Sequence, residues 1–144
     1  MSLPSVLVHP DFNSGNLMVN STGDQLTGVV DWANAELGPF GQNLASIEFL
    51  TGALHFQRGW RRYPDYHALH NIFWSTIRDE VEGLQEEKVH IIKKARIVGL
   101  LRYRGFVGPA EKRIPLSSGF ASEYNMKILE ACLINPETRF DDLN

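Results

Sequence analysis

The chain has 144 residues, with 43% hydrophobic and 22% charged side chains, 12 Gly and 7 Pro. Those proportions exclude collagen-like, coiled-coil and disordered polypeptides and suit one globular domain over 1–144, able to bury roughly 70% of its unfolded surface. A net charge of −3 gives no global case for nucleic acid or an anionic membrane as partner.

In chain order, Val6-Leu7-Val8 is a short β-branched run, and Leu17-Met18-Val19-Asn20 reads as a second strand after a polar loop. Ser21-Thr22-Gly23-Asp24 is a turn, Leu26-Thr27-Gly28-Val29-Val30 returns as a third strand, and Gly38-Pro39-Phe40-Gly41 breaks the chain. Leu44, Ile47, Leu50 and Leu54 recur at near-helical spacing, with Gly59 as a stop. A second helix begins near Pro64 and presents Leu69, Ile72, Phe73, Thr76, Ile77 and Val81 as its apolar face. A third spans Glu86 to Arg104 on Val89, Ile92, Ala95, Ile97, Val98 and Leu101. Residues 105–115 read as a loop, and a last helix covers about 118–133. The predicted fold class is α+β, mainly α: a β-hairpin unit followed by a helical bundle.

Charge is uneven along the chain. Residues 78–88 are mostly acidic, whereas 93–113 carry Lys93, Lys94, Arg96, Arg102, Arg104, Lys112 and Arg113 against Glu111 alone. The pattern predicts a solvated helix face with local ion pairs, the alternative being an anion or partner contact. Cys132, the only cysteine, cannot form an intramolecular disulfide and sits in an apolar helical pattern as a buried, inert thiol. Without a secretory leader or an 18-residue apolar run, a cytoplasmic, non-membrane protein is expected.

The segment that carries chemistry is Val8-His9-Pro10-Asp11-Phe12-Asn13-Ser14-Gly15-Asn16-Leu17, a His-x-Asp-x-x-x-x-Asn pattern with kinase-type catalytic-loop spacing. Pairing 17–20 with 27–30 would set Asn16, just before the hairpin, opposite Asp31, just after it. An amide oxygen and a carboxylate would then project from one end of a rigid element as hard donors of the kind Mg²⁺ takes. Asp11 could accept the proton of an attacking hydroxyl, acting chiefly as an orienter, while His9 packs the loop against the core.

These residues, with Leu26-Thr27-Gly28-Val29-Val30-Asp31-Trp32, resemble the aminoglycoside phosphotransferase and choline kinase superfamily, which shares a protein-kinase-like fold. The resemblance implies the C-terminal lobe of that fold, with Asp11 as catalytic aspartate and Asn16 and Asp31 as ligands of Mg²⁺ and, through it, of ATP or GTP. Ala35-Glu36-Leu37-Gly38-Pro39-Phe40-Gly41 resembles fungal members and implies a fungal source. Related kinases often place acidic residues for cationic substrates after this aspartate; Glu36 and Glu48 are the nearest here, and Glu36, in a loop four residues after Trp32, is preferred, with Trp32 beside it as a further substrate candidate.

Three departures accompany the resemblance. Pro10 stands where the family has Gly between the His and the Asp, and Asn43 replaces an Asp that braces the catalytic loop. The family's phosphate-covering loop, strand lysine and adenine-holding hinge would precede Val6, and neither a Gly-x-Gly-x-x-Gly nor a Walker-type motif occurs downstream. The expectation is a truncated lobe, improbable as a kinase by itself, whose uncovered surface meets a second copy or a complementary chain. The alternative is a stand-alone module that uses the old pocket for a ligand, a partner or another reaction.

Other clusters read as structural. His67-x-x-His70 lacks a third metal ligand, Trp60-Arg61-Arg62-Tyr63 suits a helix–helix corner, and Phe73, Trp74 and Tyr124 belong to apolar stripes.

Overall fold

A computed structural model describes residues 3–108, 112–117 and 119–142. The expected helix start at Ser118, and Glu111 in the basic stretch, lie outside the described residues. The β-branched run forms β1 (Ser5–Val8), and the hairpin strands are β2 (Leu17–Val19) and β3 (Leu26–Val29). A fourth strand, β4 (Glu36–Pro39), pairs antiparallel with β1 in the register Ser5↔Pro39 to Val8↔Glu36. The break expected at 38–41 therefore falls only after Pro39, because this segment closes the sheet onto β1.

The helix expected over 44–54 is confined to α1 (Ser46–Thr51), and a hairpin of β5 (Gly52–His55) and β6 (Gly59–Arg62) comes next. Gly52 explains the change. A Cβ there would lie 2.9 Å from the Arg61 carbonyl and 3.0 Å from the Trp60 ring, so the backbone packs directly on its partner strand. Gly59, expected as a helix stop, instead takes φ +74° and turns the hairpin. Trp60-Arg61-Arg62 is thus strand, with Trp60 buried in the core.

Helix α2 (Tyr66–Glu80) starts two residues after Pro64, yet its buried stripe is Tyr66, His70 and Trp74; Leu69 and Ile72 face solvent. Phe73 and Ile77 are half-buried against the core. Helix α3 (Glu86–Arg104) has the predicted limits, but Val98 and Leu101 are exposed and its buried line runs through Val89, Ile92, Arg96, Gly99 and Leu100. Gly99 is required by contact: a Cβ there would stand 1.6 Å from the Gln42 carbonyl oxygen. Two-residue strands β7 (Phe106–Val107) and β8 (Ile114–Pro115) then pair, in place of the expected loop, before α4 (Phe120–Leu133). Burial pushes the Cys132 thiol up to about 12, which keeps it inert as expected.

The core has two parts joined by α3. Leu100 packs with Ala45, Trp60, Ile128, Leu129, Ala131, Cys132 and Phe140, while Val89 and Ile92 pack with Trp74. Between them lies a buried polar cluster around Arg96, only 1% exposed. Its guanidinium bonds to Asp142, lies 4.0 Å from Glu48, and stacks 4.0 Å from the Phe140 ring. Glu48 also accepts from the Tyr66 hydroxyl and sits 3.3 Å from His70 Nε2. No helix among the described residues is long and apolar enough to cross a membrane.

Burial gives Glu48 and His70 opposite pH dependences. Desolvation, against the pull of Arg96 and Arg62, raises Glu48 from 4.5 to about 7, so its stabilising contribution is full below pH 4.5 and lost as pH rises through about 7. Desolvation, with Arg96 adding to it and Asp142 opposing, lowers His70 from 6.5 to about 4. Its contribution is full above pH 6.5 and lost as pH falls through about 4. Urea unfolding of the wild type should therefore vary little between pH 4.5 and 6.5. Glu48→Gln, which leaves His70 unopposed, should lose stability on acidification through that window, with a slope up to about 1.4 kcal/mol per pH unit.

Candidate active site

The loop between β1 and β2 is built by asparagines. Asn13 Oδ1 accepts from the Gly15 amide at 2.8 Å and caps the short 3₁₀ turn Ser14–Asn16, while its Nδ2 donates to the Asp11 carbonyl at 3.0 Å. Asn16 Nδ2 donates to the same carbonyl at 2.8 Å and reaches Asp11 Oδ2 at 3.4 Å. Side-chain amides thus satisfy a backbone that has no ladder partner here, as loops with Asn and Gly commonly do. Asn16 Oδ1 accepts no hydrogen bond from the described residues, which leaves an oxygen donor free.

His9 is 2% exposed, and its Nε2 bonds to the Val30 carbonyl at 2.9 Å. It therefore ties the start of the loop to the end of β3. Trp32 stands edge-on to His9 at 4.8 Å and donates from Nε1 to the Val29 carbonyl. His9 and Trp32 together brace the hairpin's end, and Trp32 does not line the cavity beside Asp11.

The hairpin register differs by one residue from the predicted pairing. Leu17 opposes Val29 and Met18 opposes Gly28, with an irregularity between Met18 and Val19. Asn16 consequently faces Val30, whose amide bonds to the Asn16 carbonyl at 3.0 Å. Asp31 comes one step further on, at φ +62°, the one non-glycine residue in left-handed conformation among the described residues. It is exposed and makes no hydrogen bond or ion pair with the described residues. An unpaired carboxylate in a backbone region that side chains avoid is an arrangement folding alone does not favour.

Asp11 is largely exposed, with Oδ1 4.0 Å from Arg104 Nη2. Both lie in the wall of a cavity of about 490 Å³ that also includes Asn13, Ser14, Phe49, Gly52 and Trp60. Sequence reasoning missed this wall because much of it comes from the β5–β6 hairpin. Gly52 and Gly59 bracketing an aromatic were the available signal.

Glu36 does not face the cavity. It lies in β4 and not in a loop, and its carboxylate accepts from Arg102 Nη2 at 2.8 Å and Tyr103 Oη at 2.7 Å, with Arg113 at 3.6 Å. Two guanidiniums already neutralise it. Burial and the Glu36 carboxylate together push the Tyr103 hydroxyl well above its ordinary range. Among the described residues no group of three or more His, Cys, Asp and Glu side chains is placed to hold a metal ion. A pair of oxygen donors at Asn16 and Asp31 would need its remaining ligands from phosphate and water, as Mg²⁺ commonly takes them.

A strand, an Asp-containing loop capped by Asn, and a hairpin with an unpaired carboxylate beyond it follow one another in the order that the resemblance to phosphotransferases implies. Residues 1–71, just under half of the chain, match the family described as the phosphotransferase enzyme family, APH. The match takes in the Asp11 loop, the hairpin, α1 and the β5–β6 hairpin, and ends within α2. No curated protein and no solved structure matches the chain significantly.

The left-handed backbone at Asp31 has a consequence for stability. Asp31→Gly should be as stable as the wild type or better, whereas Asp31→Val should be less stable than Asp31→Gly by about 1–2 kcal/mol, because a β-branched side chain is poorly accommodated at positive φ. Urea unfolding of the two variants measures the difference.

Proposed function

We propose that this chain supplies the base and the metal ligands for transfer of the γ-phosphoryl group of ATP, or GTP, to a hydroxyl of a small molecule. The observation that carries the reading is the unpaired Asp31 carboxylate, held at positive φ beyond a hairpin whose other strand begins next to Asn16, itself bonded to Asp11. In this reading the Asp11 carboxylate orients the acceptor hydroxyl and takes its proton. The hydroxyl oxygen bonds to the γ-phosphorus as the bond to the β–γ bridging oxygen breaks, and the nucleoside diphosphate leaves with that electron pair. Asn16 Oδ1 and Asp31 would hold Mg²⁺, which when bound neutralises phosphate oxygens. His9 is a positioning residue, buried and bonded to the hairpin's end. The family match over 1–71 supports the reaction class. An ATP-rich cytoplasmic setting fits the same reading.

The 144 residues contain no glycine-rich phosphate loop. Losing one comparable electrostatic contact costs about 10²–10³ in rate, so turnover by these residues alone should fall below detection. Calorimetry with Mg²⁺-ATP should instead show weak, metal-dependent binding that disappears in Asp31→Ala. Absence of binding at millimolar nucleotide would overturn the reading.

The two sheets that flank the catalytic loop point to a partner. Leu7 and Leu37 on β1–β4, and Met18, Val19 and Leu26 on β2–β3, are 53–76% exposed. Apolar side chains left exposed on both sheets favour a covering partner, and the proposed occupant is a second copy of the chain. Light scattering at micromolar concentration should report a dimer or larger; a purely monomeric profile would count against it.

A further inference from the structure

The cavity beside Asp11 carries a specific charge and shape. Four aromatic side chains, Phe49, Trp60, Tyr63 and Tyr124, contribute to its wall. Phe49 and Trp60 meet edge-on, with centroids 5.7 Å apart and planes at 82°, so two ring faces form an L-shaped corner. A flat ring placed in such a corner gains stacking on one wall and an edge contact on the other. Among the described residues, the acidic and basic side chains of the wall are Asp11 and Arg104.

Arg104 is incompletely used by the described residues. Its Nη1 donates to Asn125 Oδ1 at 3.4 Å, and its Asp11 contact, at 4.0 Å, is beyond hydrogen-bond distance. The guanidinium lies 4.8 Å from the Phe49 ring centre, and its side chain is 22% exposed. Several N–H donors of a planar fork therefore remain without an acceptor among the described residues, the arrangement that receives a carboxylate or phosphate in bidentate fashion. An aromatic-lined site can also take a quaternary ammonium ion. Here, however, Arg104 already occupies the cation's place over Phe49, and Asp11, the carboxylate that the described residues place in the wall, already faces that guanidinium at 4.0 Å.

We propose that this cavity takes a hydroxyl-bearing compound with a planar aromatic ring and an anionic group, its ring in the Phe49–Trp60 corner and its anion on Arg104, and that it rejects cationic amines. The cavity assignment rests on the phosphotransferase reading only in treating the bound hydroxyl as the phosphoryl acceptor; the binding chemistry stands on the wall itself.

The test is calorimetric titration of the 144-residue chain, without nucleotide, using 4-(hydroxymethyl)benzoate, benzyl alcohol and choline. The carboxylated alcohol should bind at least ~10-fold more tightly than either other probe, the effect of one charge-assisted contact. Arg104→Gln should remove that advantage and leave benzyl alcohol unchanged. Trp60 belongs to the core, so the aromatic wall is tested with Tyr63→Ala at an exposed position, which should weaken both aromatic probes by a few-fold. Choline binding as tightly as the benzoate, or an Arg104→Gln variant with undiminished benzoate affinity, would overturn the proposal. Benzoate binding without any Mg²⁺-ATP binding would retain the cavity and sink the phosphotransferase reading; nucleotide binding with none of the probes bound would do the reverse.

Discussion

The guanidinium of Arg96 is the constraint around which this chain is organised. A cation removed from water in the middle of a helix is costly unless its neighbours replace the lost hydration. Here Asp142 bonds to it, Glu48 lies within 4.0 Å, and the Phe140 ring covers one face. Those partners come from two distant places, α1 and the segment after α4, and meet on α3. Losing one partner of such a cluster leaves an uncompensated buried charge, a break that typically costs ~3–5 kcal/mol. The segment after α4 is thereby fixed to the centre of the molecule by charge as well as by apolar packing.

That constraint reaches the active site through short rigid paths. Phe49, next to Glu48, and Gly52, at the start of β5, both belong to the cavity wall. Arg104 lies eight residues beyond Arg96 on α3, slightly more than two turns, so its position depends on the anchoring of the helix. Gly99, between them, lets α3 approach the backbone of Gln42 closely. The Asp11 loop is held differently, by amide side chains that bond its own backbone and by His9 against Val30. One half of the site is therefore placed by the core and the other by local capping. Asp31 is supported by neither.

The sequence was legible where a local pattern decides structure. The strands around the loop, the turn at 21–24 and both limits of α3 come from β-branched runs, turn residues and a long helical period. It was less legible where a distant contact decides. Residues 52–54 read as helix continuation because Leu50 and Leu54 keep the spacing, but Gly52 lies against Trp60 and a hairpin results. The α2 face was misplaced because His70 and Tyr66, polar by composition, are buried beside Glu48, while apolar Ile72 points to solvent. A pattern built on hydropathy cannot assign polar residues to a core when their partners are elsewhere in the chain. The same cause hid the buried state of Arg96. The hairpin register escaped because Val19 pairs with Leu26 on the turn side, two residues off the expected pairing, and the irregularity at Met18/Val19 recovers only one of them.

Among the basic residues of 93–113, Arg104 is the one that lines the cavity. Of the stretch 93–113, Lys93 and Arg96 are paired with Asp142, and Arg102 and Arg113 with Glu36. These ion pairs turn a run that looks like an anion-binding surface into internal bracing. Arg104 differs in geometry, because its nearest carboxylate is Asp11, 4.0 Å away and largely exposed. A structural ion pair would close that gap, since two unlike charges gain from shorter separation when nothing else competes. Keeping Asp11 and Arg104 apart across a cavity wall leaves a carboxylate and a guanidinium side by side, the base and the anion's partner of the proposed reading. A base that must accept a proton works poorly when a guanidinium is bonded to it, because the cation lowers its basicity. In the proposed reading, an anionic group on the bound molecule would draw Arg104 away from Asp11, so the ligand's own charge would free the carboxylate that faces its hydroxyl.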